Sequence, residues 1–196
     1  MKLILASASP RRAEILRHAA ILFETQITLV DESILPGELP SDYVRRLAQE
    51  KARAAAEARP DRNENLFVGA DTTVVMANEI LGKPESEEDA RRMLRLLSGA
   101  THEVHTGLAI LSPRDTIERV VEEITRVSFA PLSENEIAAY IATGEPFDKA
   151  GAYGIQGVAG RYVTRIEGCY FNVMGLPLAR LWSLLREFGW TDSTGT

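Results

Sequence analysis

Lys2-Leu3-Ile4-Leu5-Ala6-Ser7-Ala8-Ser9-Pro10-Arg11-Arg12 opens the chain with a short apolar run that meets a serine-proline step. Ser9 suits an N-cap and Pro10 a first helical residue, so the run reads as a strand feeding a helix. That β-to-α order repeats downstream. The first helix is expected to reach about Ala20 through Ile15, Leu16 and Ala19, and Phe23 to Leu29 then alternates like a second strand. Residues 30 to 40 have loop composition, and Ser41 is placed as the cap of a helix built on Val44, Leu47, Ala48, Ala52 and Ala55 and ending near Pro60. Leu66 to Ala70 and Thr73 to Met76 are β-rich, with Asp71 and Thr72 where the strand bends or ends. Ser86 and its acidic followers start another helix that Ser98-Gly99 closes. Residues 104 to 111 and 117 to 129 alternate around Pro113-Arg114-Asp115, the pattern of a hairpin. Ser133-Glu134-Asn135-Glu136 is a capping box, with Gly144 as the residue after that helix. A strand near Arg161 to Ile166 precedes a last helix opened by Pro177, with Leu178, Leu181, Trp182, Leu185 and Phe188 on one face and Gly189 at its end. The expected class is α/β with a mixed sheet.

The chain has 196 residues, which fits a single domain over 1–190 with a polar, frayed tail at 191–196. Its 28 acidic against 22 basic side chains leave a net charge of −6. That balance argues against bulk binding to nucleic acid or an anionic membrane, though it allows a local basic pocket. A composition of 45% hydrophobic and 26% charged residues is that of an ordinary globular protein. No apolar run approaches the length of a membrane span, and the stretch before Ser7 is too short for a signal peptide, so a cytoplasmic protein is expected. Cys169 is the one cysteine, which excludes a disulfide framework within the chain and a multi-cysteine zinc site.

Three clusters could carry chemistry. Ser7, Ser9, Arg11 and Arg12 crowd a helix start, where free N–H groups and the helix dipole attract anions. They read either as a phosphate seat or as a capped, solvated helix start. Asp71, in Gly69-Ala70-Asp71-Thr72-Thr73, is either a satisfied turn carboxylate or a catalytic base or metal ligand. Gly82-Lys83-Pro84 favours the second reading, since a lysine in a stiff, closely approachable loop offers a point charge for phosphate. The spacing is not that of a P-loop. Asp148 to Gly157, DKAGAYGIQG, has three glycines among Asp, Lys and Gln. That suits a loop closing on a ligand, with Lys149 for phosphate and Gln156 for a base edge. Asp31, Glu32 and Lys51 taken singly look like surface charges. His102 and His105 alternate onto opposite faces and receive no metal role, His18 is placed on the surface, and Cys169 reads as a small buried residue.

SASPRR, GADTTVV followed by GKP, DKAGAYGIQG and Gly168 to Leu178 (GCYFNVMGLPL), four motifs in order from Leu3 to about Leu185, together resemble the Maf family of nucleoside triphosphate pyrophosphatases. The resemblance implies an inosine triphosphate pyrophosphatase-like fold, a mixed twisted sheet flanked by helices around a deep cleft. It also implies a reaction dependent on Mg²⁺ or Mn²⁺ that converts a nucleoside triphosphate and water to the monophosphate and pyrophosphate. Thr72 and Gln156 match the branch that cleaves dTTP and UTP rather than the branch acting on 7-methyl-GTP. The resemblance makes Asp71 the proton acceptor and Arg11, Thr72 and Gln156 specificity positions. Ser7, Arg12, Glu32, Lys51, Lys83 and Lys149 become phosphate or metal contacts, with Lys83 joining Asp71 in the catalytic set and Glu32 sharing the metal with Asp71. A homodimer stays open.

Cleaving the α–β bond needs a water aimed at the α-phosphorus, a base or metal to lower its proton cost, and positive charge on the leaving pyrophosphate. Two carboxylates and five basic side chains supply these. A non-catalytic nucleotide-binding regulator of cell division would not need both Asp71 and Glu32, and a phosphomonoesterase would need a covalent nucleophile or two-metal cluster that the motifs lack.

Overall fold

The computed structural model describes residues 1–191, so all but Thr191 of the tail expected at 191–196 lies outside the described residues. Among these residues seven strands form one mixed sheet: β1 (Lys2–Ala6), β2 (Glu24–Thr25), β3 (Asn65–Met76), β4 (Glu79–Leu81), β5 (Thr101–Ser112), β6 (Ile117–Phe129) and β7 (Val163–Glu167). Their order is β2-β1-β3-β5-β6-β7, with β4 on β3. β1 runs parallel to both neighbours, Leu3 beside Leu66 and Ala6 beside Gly69. A parallel strand covered on both faces needs apolar residues at successive positions, and Leu3, Ile4, Leu5 and Ala6 are all buried.

Among the described residues six α-helices accompany the sheet: α1 (Pro10–His18), α2 (Pro40–Glu57), α3 (Glu87–Leu97), α4 (Glu134–Ile141), α5 (Tyr170–Val173) and α6 (Leu178–Glu187). Two starts follow local sequence chemistry. Ser86 Oγ accepts from the Asp89 N–H at 3.1 Å. Ser133 and Glu136 form the reciprocal capping box ahead of α4, and Gly144 follows it at φ 74°. Other expectations need correcting. Ser9 holds the N-cap position of α1 without a side-chain cap bond. α2 begins at Pro40 after Leu39, so Ser41 lies inside the first turn. β2 is only two residues long, because the alternation past Thr25 leaves Ile27 and Leu29 exposed rather than in a core. β3 runs unbroken through Asp71 and Thr72, where a bend was expected. Pro177 stands at the N-cap of α6, whereas DKAGAYGIQG is irregular as expected, with a 3₁₀ helix at Ala150–Ala152 and a turn from Gly154 to Gly157.

The chain divides into two units. One comprises Met1–Asp71, Thr106–Glu123 and the described residues from Gly175 on. The other comprises Thr72–His105 and Ile124–Met174. β3, β5 and β6 each contribute residues to both. Within the first unit α2 lies on β3 and β5 at two glycines. A Cβ on Gly69 would overlap the Ala48 carbonyl oxygen and reach 2.8 Å from Ala52 N, and one on Gly107 would overlap the Val44 carbonyl and reach 2.8 Å from Arg45 N. Ala48, Ala52, Ala55 and Ala56 meet Ile4, Ala6, Phe67 and Ala109 there. Small residues on both surfaces set the depth of α2. The second unit has its own core around Leu94, Leu97, Phe129, Tyr140, Tyr153 and Tyr162. Among the described residues no helix is long and apolar enough to cross a membrane.

Candidate active site

Gly69 and Asp71 point to the same face of β3, since side chains alternate along a strand. α2 covers that face, with Ala48 and Ala52 against Gly69. Lys51 lies between them in sequence and reaches Asp71, its Nζ donating to Asp71 Oδ1 at 2.6 Å. The same ammonium lies 2.6 Å from Glu32 Oε1. Lys51 and Asp71 are buried, whereas the Glu32 side chain is half exposed. Burial pushes the Asp71 carboxyl above its ordinary range, with Lys51, Arg12 and the Lys51 hydrogen bond opposing and Glu32 adding to the rise. Asp71 therefore sits in a dry setting with one oxygen committed to a lysine, not in a strand-ending turn. A carboxylate inside a β-strand is stable here because its countercharge arrives from a helix twenty positions away in sequence.

Arg12 is buried as well. Its Nε donates to the Gly175 carbonyl at 2.7 Å and Nη1 donates to Ser7 Oγ at 3.0 Å. Ser7 Oγ also accepts the Ser9 N–H at 3.1 Å, so this hydroxyl shapes the β1–α1 turn instead of the expected Ser9 cap. Desolvation weakens the guanidinium's hold on its proton, and the charges of Asp71 and Glu32 oppose that. Arg11 beside it is partly buried. The first unit thus brings together Ser7, Arg12, Glu32, Lys51 and Asp71.

Sequence reasoning missed two residues that hold the loop carrying Glu32. The Tyr43 hydroxyl donates to the Glu32 carbonyl at 3.0 Å. Burial, then the charges of Asp71 and Glu32, push that phenol up to about 12. Arg46 donates to the Ser33 carbonyl at 3.0 Å and to both Glu38 oxygens at 2.6 and 2.8 Å. Tyr43 and Arg46 stand one turn apart on α2, and the loop they grip has no periodicity of its own to announce the contact.

The second unit carries the other candidates. Thr72 is half-buried next to Asp71, and Lys83 is exposed between β4 and α3. Gly151 N–H donates to the Gly82 carbonyl at 3.0 Å, which ties Gly82-Lys83-Pro84 to DKAGAYGIQG. Gly151 has φ 67°, and a Cβ there would press on Val74 at 2.8 Å, so only glycine fits. Lys149 is held locally, donating to Asp148 Oδ1 at 2.6 Å and to the Glu145 carbonyl at 2.7 Å. Gln156 is exposed on the turn from Gly154 to Gly157. Cys169 is partly exposed rather than buried, and its backbone pairs with the Thr125 hydroxyl. His18 is exposed, as expected. His102 is a core residue, its Nε2 2.8 Å from the Tyr153 hydroxyl and its ring edge-on to Phe129 and Tyr153.

The family model described as Maf-like protein matches residues 2–188. The chain belongs to the Maf family. Relatives include a dTTP/UTP pyrophosphatase of Koribacter versatilis (strain Ellin345), 53% identical over 96% of this chain and 95% of that one. Another of that name, from Hahella chejuensis, is 49% identical over 97% and 96%. A third, from Geobacillus sp. (strain WCH70), is 50% identical over 96% and 99%. Among solved structures, a HAM1 protein from Coxiella burnetii superposes with a TM-score of 0.50 at 16% identity, covering 95% of this chain and 99% of that chain. At that identity the likeness speaks for the fold alone, and it agrees with the mixed sheet flanked by helices that the Maf motifs implied.

Proposed function

We propose that this Maf protein hydrolyses dTTP and UTP to the monophosphate and pyrophosphate. The observation that carries the chemistry is the buried Asp71, held by Lys51 and compensated by Arg12. The substrate rests on the shared name of relatives about half identical over almost the whole chain.

Asp71 accepts the proton of the water that attacks the α-phosphorus. Its burial makes it a better base than a solvated aspartate, and Lys51 fixes the carboxylate's orientation so that none is spent on rotation during proton transfer. Arg11, Arg12, Lys83 and Lys149 meet the triphosphate charge, which for Lys149 requires exchanging its present bond to Asp148 for a phosphate oxygen. Thr72 and Gln156 carry base choice. Glutamine offers a donor and an acceptor to the carbonyl and N3–H of uracil or thymine, and cytosine reverses both.

The donor set fits a divalent cation. Glu32 and Asp71 each place an oxygen 2.6 Å from one Lys51 ammonium, so the pair already surrounds a positive charge with hard oxygen ligands. Those two carboxylates would hold Mg²⁺ or Mn²⁺ together with substrate phosphates, the usual arrangement for magnesium. The ion, when bound, would lower the proton cost of water and neutralise phosphate charge. A cytoplasmic nucleotide pool is the expected source of substrate.

A panel of canonical nucleoside triphosphates assayed with Mg²⁺ for pyrophosphate tests this reading. dTTP and UTP should lead, and EDTA in excess should abolish turnover. Release of orthophosphate alone, or preference for a guanine nucleotide, would refute it.

A further inference from the structure

The turn that presents Gln156 is defined by the Gly157 N–H donating to the Gly154 carbonyl at 3.1 Å, which puts Ile155 and Gln156 at its two central positions. Gln156 is exposed, so the direction of its side chain depends on how that turn is held. Both flanks are gripped by one pair of side chains. The Gly154 N–H donates to the Tyr140 hydroxyl at 3.3 Å, and the Val158 N–H donates to Glu145 Oε2 at 3.0 Å. The pair is itself joined, Tyr140 donating to Glu145 Oε1 at 3.0 Å. Tyr140 is fully buried at the end of α4, and burial followed by the Glu145 charge keeps its phenol protonated and able to donate. Gly157 makes room for the carboxylate. A Cβ there would overlap Glu145 Oε1 and lie 2.5 Å from Oε2. The main chain of Glu145 is fixed too, by its N–H to Thr143 Oγ1 at 3.2 Å and by Lys149 on its carbonyl.

We propose that Glu145, braced by Tyr140, is a positioning residue for base selection: it clamps the Gly154–Gly157 turn so that Gln156 meets the pyrimidine edge in one orientation. The inference rests on the reading of Gln156 given above. A surface glutamate with no such role needs no protein partner, since water solvates it. This one instead takes two donors from the turn and its support, and Gly157 stands where a side chain would evict it.

The test is a double-mutant cycle on the ratio of kcat/KM for dTTP to that for CTP, with pyrophosphate measured as product. Glu145→Ala should lower that ratio about 10-fold, mainly through KM for dTTP, with pyrophosphate still the product. In a Gln156→Ala background it should lower the ratio no further. Glu145→Gln keeps one acceptor for Val158 and should fall between parent and alanine variant. If the alanine variant does not fold, Glu145→Gln carries the same cycle. A parent-like ratio in the Glu145 variants while Gln156→Ala loses it would overturn the clamp and leave the base reading standing. An equal drop in the presence and absence of Gln156 would also overturn it. If Gln156→Ala itself keeps the full preference, the base reading falls and the clamp falls with it.

Discussion

Arg12 and Lys83 were assigned the same task from sequence, and their surroundings predict different costs of removal. Arg12 is buried, with the Gly175 carbonyl and the Ser7 hydroxyl as partners. Arg12→Ala should cost roughly 2 to 3 kcal/mol of stability, because buried acceptors lose their donor, and should lower kcat/KM as well. Lys83 is exposed. Lys83→Ala should leave urea unfolding unchanged yet cost about 2 to 4 kcal/mol in kcat/KM, as expected for a preorganised charge that meets phosphate oxygens. Parent-like kinetics for Lys83→Ala would remove it from the site. His102 gives a prediction for pH. Burial lowers its pKa from 6.5 to about 4, so the unfolded chain binds a proton that the folded chain refuses in that window. Stability is then fully present above pH 6.5 and falls as the pH drops towards 4. Between pH 7 and pH 5 this one group should remove about 2 kcal/mol, and His102→Gln should flatten that part of the urea-unfolding profile. An equally steep profile in the variant would place the loss elsewhere.

The element that decides the site is α2 on its two glycines, and it separates what the sequence discloses from what it hides. The Ser133 capping box, the Ser86 cap and the apolar run of β1 are legible because the partners lie within a few residues of each other. The continuity of β3 through Asp71 is not, since a carboxylate looks like a strand break until Lys51 is brought to it from another element. Tyr43 and Glu145 escaped for the same reason: each acts on a loop whose approach is fixed by tertiary packing. Glycines show the difference plainly. Gly69 and Gly82 both belong to the motifs, but a Cβ at Gly69 meets the α2 backbone and one at Gly82 meets nothing within 4 Å. Gly69→Ala should destabilise by about 1 to 3 kcal/mol through overpacking and, by lifting α2, loosen Lys51 from Asp71 and depress kcat. Gly82→Ala should stay within about 0.5 kcal/mol of the parent. Equal midpoints for the two variants in urea would contradict the packing argument.

At the scale of the molecule, an acidic chain of net charge −6 gathers Arg12, Lys51 and Asp71 in its interior. Cations and a carboxylate withdrawn from water are costly to keep, and the roles proposed for them in a hydrolase acting on a polyanion give a reason for the cost. The account stands on Asp71 as the group that takes the proton from the attacking water. The direct measurement is pyrophosphate release from dTTP by purified Asp71→Asn beside the parent, under saturating Mg²⁺, with circular dichroism and urea unfolding establishing that both are folded. A positioned base is worth about 10²-fold or more, so kcat should fall by at least that factor while the fold is kept. A folded variant turning over dTTP within a few-fold of the parent would contradict the central claim.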